Sequence, residues 1–270
     1  MTAAQRLALC FACLLAALPA QAGKYLDWGN WLSAGNALRP SRGANWAINV
    51  AAGPGYAPTH IGGSELESKP LVLLEATYKG RYFFSTQQGI GWNLYRSAAT
   101  RIGPRITVDF GRDANDAPIL NGLENVNPGV EAGLFIEHFF GAIRVRGDLR
   151  QELLNGHNGF VGGLDVAFAG RVSPTVLLAL GAQINVMGDN YADAYFSVPV
   201  GAVRADRPFF PAVGGVRDIG LYGQAQVDIA EGFYLALDMR GNRLLGDAAS
   251  SPLTLDEFQF FLGALAGYRF

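Results

Sequence analysis

The C-terminal stretch 256–270 constrains the fold of this chain more than any other. Read every second residue, Phe258, Phe260, Leu262, Ala264, Ala266, Tyr268 and Phe270 are all apolar. The alternate set, Glu257, Gln259, Phe261, Gly263, Leu265, Gly267 and Arg269, is mixed and carries the charges. Strict period-two alternation makes a strand with one apolar face, not a helix. A soluble sandwich could use one such strand, so the decision rests on whether the pattern recurs.

It recurs along the chain. Alternating segments occupy 46–52 (ending at Pro54-Gly55), 69–78, 81–94 and 100–111. Lys79-Gly80 reads as a two-residue hairpin turn. Further segments follow at 128–140, 142–153, 159–172, 175–187, 216–229 and 233–243. In 142–153 one face is Ile143, Val145, Leu149 and Leu153, and the other is Arg144, Arg146, Asp148, Arg150 and Glu152. In 233–243, Leu235, Leu237 and Met239 alternate with Tyr234, Asp238, Arg240 and Asn242. A soluble core has no place for a strand face made of charges, whereas a barrel lumen does. The apolar faces then meet lipid, where a closed barrel satisfies every backbone polar group.

With the terminal strand the segments number eleven, and a single-chain bacterial barrel takes an even number. Either 195–200 adds a strand or 81–94 splits in two. The expected fold is all-β, an antiparallel transmembrane β-barrel of about twelve strands, with about ten as the alternative. It spans 45–270, behind a polar, glycine-rich segment at 23–44 read as periplasmic.

The N-terminus supplies an address. Arg6 precedes an almost unbroken apolar run at 7–18, and Ala20-Gln21-Ala22 has the small-x-small pattern of a cleavage site. Residues 1–22 are therefore expected to be a signal peptide, cut before Gly23. The run is too short to anchor in a bilayer. Cys10 and Cys13 both lie inside it, so the mature chain is expected to have no disulfide, thiolate chemistry or Cys-ligated metal. A formal net charge of −2 excludes the basic footprint of a nucleic-acid binder. The 35 glycines, 10 tyrosines and 17 phenylalanines suit tight turns, short strands and aromatic girdles.

The terminal Gly267-Tyr268-Arg269-Phe270 resembles the last strand of outer-membrane barrels, which implies that Tyr268 and Phe270 form an assembly signal read by the barrel-assembly machinery. Other pieces are Gly111-Arg112-Asp113 with Asp116, and Gly156-His157-Asn158-Gly159. Next come Asp189-Asn190-Tyr191-Ala192-Asp193-Ala194-Tyr195-Phe196-Ser197-Val198 and Leu244-Leu245-Gly246-Asp247-Ala248-Ala249-Ser250-Ser251-Pro252. In this order and spacing the chain resembles the MltA-interacting protein (MipA/OmpV) family of outer-membrane proteins. It departs at Asn158 and Ser197, where the family usually has glycine. The resemblance implies a non-enzymatic barrel in the outer membrane of a Gram-negative bacterium. It would scaffold peptidoglycan remodelling by tethering a lytic transglycosylase to a bifunctional penicillin-binding protein.

The residues offer little catalytic chemistry. Of the three histidines, His157 sits in a glycine-flanked turn, His138 has lipid-facing parity and His60 is in a loop. No metal-binding His spacing or nucleophile elbow is present. Asp113 with Asp116, or Asp189 with Asp193, reads as turn carboxylates holding backbone N–H groups rather than as an acid pair. No cofactor is expected. The set Arg144, Arg146, Asp148, Arg150 and Glu152, facing Asp238 and Arg240, has two readings. One is a salt-bridge network plugging a narrow barrel; the other is a small channel for polar or anionic solutes. Tyr191, Tyr195 and Phe196, in a stretch the strands leave unexplained, are candidate partner contacts if exposed, and the equal alternative is that they fill the barrel mouth.

Overall fold

The structure, a computed structural model, describes residues 45–270; the expected signal peptide and the 23–44 segment lie outside the described residues. The strands are β1 (Trp46–Pro58), β2 (Leu66–Tyr78), β3 (Tyr82–Ser85), β4 (Gly89–Trp92), β5 (Tyr95–Arg96), β6 (Thr100–Asp109) and β7 (Gly129–Phe140). They continue as β8 (Ile143–Glu152), β9 (Phe160–Arg171), β10 (Val176–Met187), β11 (Gly215–Asp228), β12 (Phe233–Leu244) and β13 (Phe258–Arg269). Each long strand pairs antiparallel with its neighbours in sequence, β13 returns to β1, and β4 pairs with β6 to close the sheet. The two-residue β5 pairs with β6 alone, so the wall is a closed barrel of twelve strands.

The extra strand comes from 81–94, which splits into β3 and β4. Ser85 Oγ accepts the N–H groups of Gln87 and Gln88, and Gly89 takes a positive φ of 74°. A Cβ there would run into the Ile106 carbonyl, so glycine is what lets the chain turn against β6. The other candidate, 195–200, is not a strand; it begins at the end of a helix, α1 (Asp189–Phe196). The first strand is also longer than its sequence suggests, running through Pro54-Gly55 to Pro58. Pro54 has no donor, and the β1–β13 ladder lapses at Gly53 and Pro54, while β1 stays in register with β2 across Pro54 and Pro70.

The faces are inverted relative to a soluble protein. Leu134, Ile136, Leu164, Phe168, Leu180, Leu221, Leu237 and Phe258 are exposed, while Arg105, Glu131, Arg144, Arg146, Asp238 and Arg240 are buried. Only a lipid solvent makes that arrangement favourable, since water on the outside would leave a continuous apolar belt uncovered. Two tyrosines lock neighbouring strands inside. Tyr222 lies over Gly181 and Tyr234 over Gly267, each in the space a Cβ would need.

The barrel ends differ. The start of β1 and the end of β13, with Asn49 opposite Arg269, lie at the end with the short turns 79–81, 141–142, 172–175 and 229–232, the end that faces the periplasm in bacterial barrels. The opposite end carries the long connections 110–128, 188–214 and 245–257, with α1 and a short helix, α2 (Gly246–Ser250).

Candidate functional site

Two structures dominate the interior: a charged lumen and a folded cap above it. On β8, Arg144, Arg146 and Glu152 are buried, and their strand neighbours Ile143 and Leu149 face outward. Asp148 binds Arg105 from β6 at 2.5 Å and Arg150 Nε at 3.1 Å. Arg150 Nη1 also reaches Glu131 on β7 at 2.7 Å. Arg144 pairs with Asp165 on β9, and the Tyr222 hydroxyl donates to the same carboxylate at 2.5 Å. These contacts chain β6, β7, β8, β9 and β11 together along one side of the lumen wall. Each charge has lost its water, so the pairing offsets a desolvation cost rather than adding free stability.

Four members of the expected charge set stand apart, the first being Arg146, whose Nε and Nη2 have no hydrogen-bond partner and whose guanidinium lies 5.4 Å from the Phe135 ring centroid. Glu152 accepts the N–H groups of Leu154 and Asn158 at 2.7 and 2.8 Å and so shapes the 153–159 loop. Arg240 lies opposite Tyr222 in register on β12. Asp238 is fully buried on the same strand, and neither carboxylate oxygen has a hydrogen-bond partner.

The cap is built from long loops that are distant in sequence. Tyr191, Ala192, Tyr195 and Phe196 of α1 pack with Val126, Val161, Met187, Leu244 and Ala248. A second apolar cluster joins Ile119, Leu120 and Leu123 to Val198, Ala202 and Leu253. Buried arginines staple loops through carbonyl oxygens: Arg207 donates to Ile119 at 2.5 Å and to Ala202 at 2.7 Å, and Arg112 donates to the Tyr195 carbonyl at 2.9 Å. Ser251 Oγ donates to the Phe196 carbonyl at 2.6 Å. Beneath these contacts, a cavity of about 40 Å³ is lined by His60, Asp109, Arg112, Asp116, Tyr195 and Arg217, among others. That is room for a few waters.

This packing corrects one expectation. Tyr191 and Phe196 are fully buried and Tyr195 nearly so, so none of them offers a partner a surface. Tyr191 and Tyr195 stack with centroids 4.5 Å apart. The Tyr195 hydroxyl donates to Asp109 at 2.5 Å, and the Tyr191 hydroxyl accepts from Arg217 at 2.9 Å. The aromatic cluster packs against the strand ends at the long-loop end of the barrel. Asp113 and Asp116 fold onto their own turn, with the Asp113 N–H donating to Asp116 at 3.0 Å. Asp189 accepts from the Gly214 N–H at 2.8 Å.

His157 hangs from the cap into the lumen beside Asp109 and Glu131. The three side chains bring their ligand atoms within 4.8 Å of one another, and all are buried. The hydrogen bonds disfavour a metal there. His157 Nδ1 accepts the Gly159 N–H at 3.0 Å, which places the ring proton on Nε2, facing Glu131 Oε1 at 3.2 Å. A metal on Nε2 would need the opposite tautomer, with Nδ1 donating to a carbonyl or carboxylate. The group is a latch between cap and wall. His60, within the 59–65 loop, is buried with Nε2 against the Leu253 carbonyl at 3.2 Å, and burial lowers its pKa below the usual imidazole value. His138 is half-buried on β7, 2.8 Å from Thr100 Oγ1 and beside the Phe140 ring.

The last strand ends where the assembly-signal residues were expected. Tyr268 packs between Phe233 and Phe270, with centroids 4.5 and 4.7 Å away. Phe270 is exposed, and its N–H donates to the Ile48 carbonyl at 3.0 Å.

Among solved structures, the chain is similar to Neisserial surface protein A, at 10% identity and a TM-score of 0.28, covering 84% of this chain and 96% of that one. An outer membrane channel from Pseudomonas putida F1 is similar at 9% identity and a TM-score of 0.43, covering 86% and 100%. A loop-deletion form of the Vibrio cholerae outer membrane protein OmpT is similar at 7% identity and a TM-score of 0.39, covering 83% and 98%. No curated protein matches the chain in sequence. The sequence profile described as MltA-interacting protein MipA matches residues 50–270, the whole barrel and cap apart from the first residues of β1. With its closed barrel and lipid-facing belt, this chain belongs to the MipA family and is an outer-membrane barrel.

Proposed function

We propose that this barrel is a non-enzymatic scaffold that holds peptidoglycan-remodelling enzymes at the outer membrane. It would tether a lytic transglycosylase together with a penicillin-binding protein. The family's description names the first partner class. The observation that carries the reading is the state of the lumen: buried charges from four neighbouring strands pair with one another along its wall, and an aromatic cluster packs at its long-loop end. A barrel so lined and capped is suited to act through its ends rather than its interior, and short turns face the periplasm, the compartment where cell-wall enzymes work. The same packing weighs against the channel reading.

Cross-linking in intact envelopes, followed by affinity capture of the full chain, tests this. Recovery of a lytic transglycosylase is expected, and should survive loosening of the cap by Tyr195→Phe, because the contact lies at the other end. An abundant, folded barrel that brings down no cell-wall enzyme would refute the scaffold. Discrete conductance steps in planar bilayers would then favour the channel.

A further inference from the structure

At the short-turn end, the β2–β3 turn and the β4–β6 connection are locked together. Lys79 and Gly80 have φ values of 51° and 61°, the left-handed pair of a tight hairpin turn. A Cβ on Gly80 would strike the Arg96 guanidinium. Arg96 Nη1 donates to the Lys79 carbonyl at 3.1 Å, and Asn93 Nδ2 donates to the Gly80 carbonyl at 2.9 Å. The result gathers Lys79, Arg81 and Arg96, all exposed, into one small area.

Like charges gathered this way repel unless an anion joins them. Among the described residues, none of the three has a carboxylate partner. Other cations of the same rim do: Arg101 pairs with Glu137 at 2.9 Å, and Arg171 and Arg269 share Asp228 at 2.8 and 3.1 Å. The depth of the cluster points to the anion. Trp46 packs on Tyr78 at 4.7 Å, Tyr82 stacks on Trp92 at 6.1 Å, and Tyr95 is exposed beside them. Exposed aromatic rings of this kind mark the membrane–water interface. A turn of three residues between Tyr78 and Tyr82 cannot project far beyond that level. The cations therefore sit at the depth of lipid phosphates, and an acidic protein would have to reach down among the headgroups to meet them.

We propose that Lys79, Arg81 and Arg96 form a binding site for the phosphate of an anionic phospholipid in the periplasmic leaflet. This goes beyond the scaffold reading and does not depend on it. Guanidinium groups suit phosphate oxygens geometrically, and each basic residue near an anionic surface is worth roughly a five-fold gain in binding.

Native mass spectrometry of the full mature chain, released from detergent with phosphatidylglycerol or phosphatidylcholine, tests the site. A roughly tenfold or greater preference for phosphatidylglycerol is expected, lost in the Lys79→Gln/Arg81→Gln/Arg96→Gln variant and retained in Arg243→Gln at the opposite rim. Arg81→Gln alone guards against misfolding, because its side chain bonds nothing that holds the turn; it should weaken the preference roughly five-fold. Equal binding of both lipids by the wild type would overturn the proposal, as would an unchanged preference in the triple variant. If the variants lose a captured periplasmic protein while lipid preference stays intact, the patch faces protein and the lipid site is wrong.

Discussion

Replacing Asp148 by asparagine should destabilise the barrel by about 3–5 kcal/mol, the cost of stranding a buried charge. The Asp148 side chain is 8% exposed and that of Arg105 is 2% exposed, and they meet at 2.5 Å. Asp148 also holds Arg150 Nε at 3.1 Å. The charge-assisted hydrogen bond from Arg105 alone is worth about 1.5–3 kcal/mol, and the ion pair with Arg150 adds to it. The amide keeps one acceptor and nearly the same volume, so the loss is electrostatic rather than a cavity. The assay is reversible unfolding in urea from phospholipid vesicles, followed by tryptophan fluorescence and checked by the mobility shift of folded barrel on gels. Arg150 keeps Glu131 at 2.7 Å, so Arg105 is the group left exposed to the loss. Removing it as well, in Asp148→Asn/Arg105→Met, should therefore recover at least half of the deficit. A loss below about 1 kcal/mol for Asp148→Asn, or no recovery in the double variant, would refute the claim that these charges are dry and mutually dependent.

Gly267→Val should cost about 1–3 kcal/mol in the same unfolding assay, because its Cβ would enter the Tyr234 ring, and Gly181→Val should do likewise against Tyr222. Acidification should loosen the cap at His60. Its folded pKa is lowered by burial, so the stability it contributes is present above the unfolded value of about 6.5 and is lost as pH falls through the folded value. Protection factors of the amides at 253–255, corrected for the slower intrinsic exchange in acid, should fall between about pH 7.5 and about pH 5, and His60→Gln should flatten that dependence. Deleting Phe270 should leave refolding into vesicles nearly unchanged while lowering the amount assembled in the outer membrane several-fold, measured by surface labelling; equal assembly would remove its role as a signal.

The lipid-facing wall was legible because its information is local. In a strand, parity alone assigns each side chain to one face, so Phe258 through Phe270 declare the exterior without reference to any other segment. The same parity placed Arg144 and Arg146 inside. It also left an odd number of strands, which only closure resolves: Gly89 abuts the Ile106 carbonyl, a contact between segments that periodicity treats separately. The cap was not legible. Tyr191, Tyr195 and Phe196 could face solvent or interior according to whether loops 110–128, 153–159 and 245–257 arrive above them. That arrival depends on carbonyl staples by Arg112 and Arg207 and on His157, none of which has a sequence period. Period-two patterning determined the barrel and what faces lipid. Which lumen charges meet, and how the long loops pack at one end, were decided by contacts between residues far apart in the chain, where burial favours pairing of charges and hydroxyls with partners that local sequence cannot name.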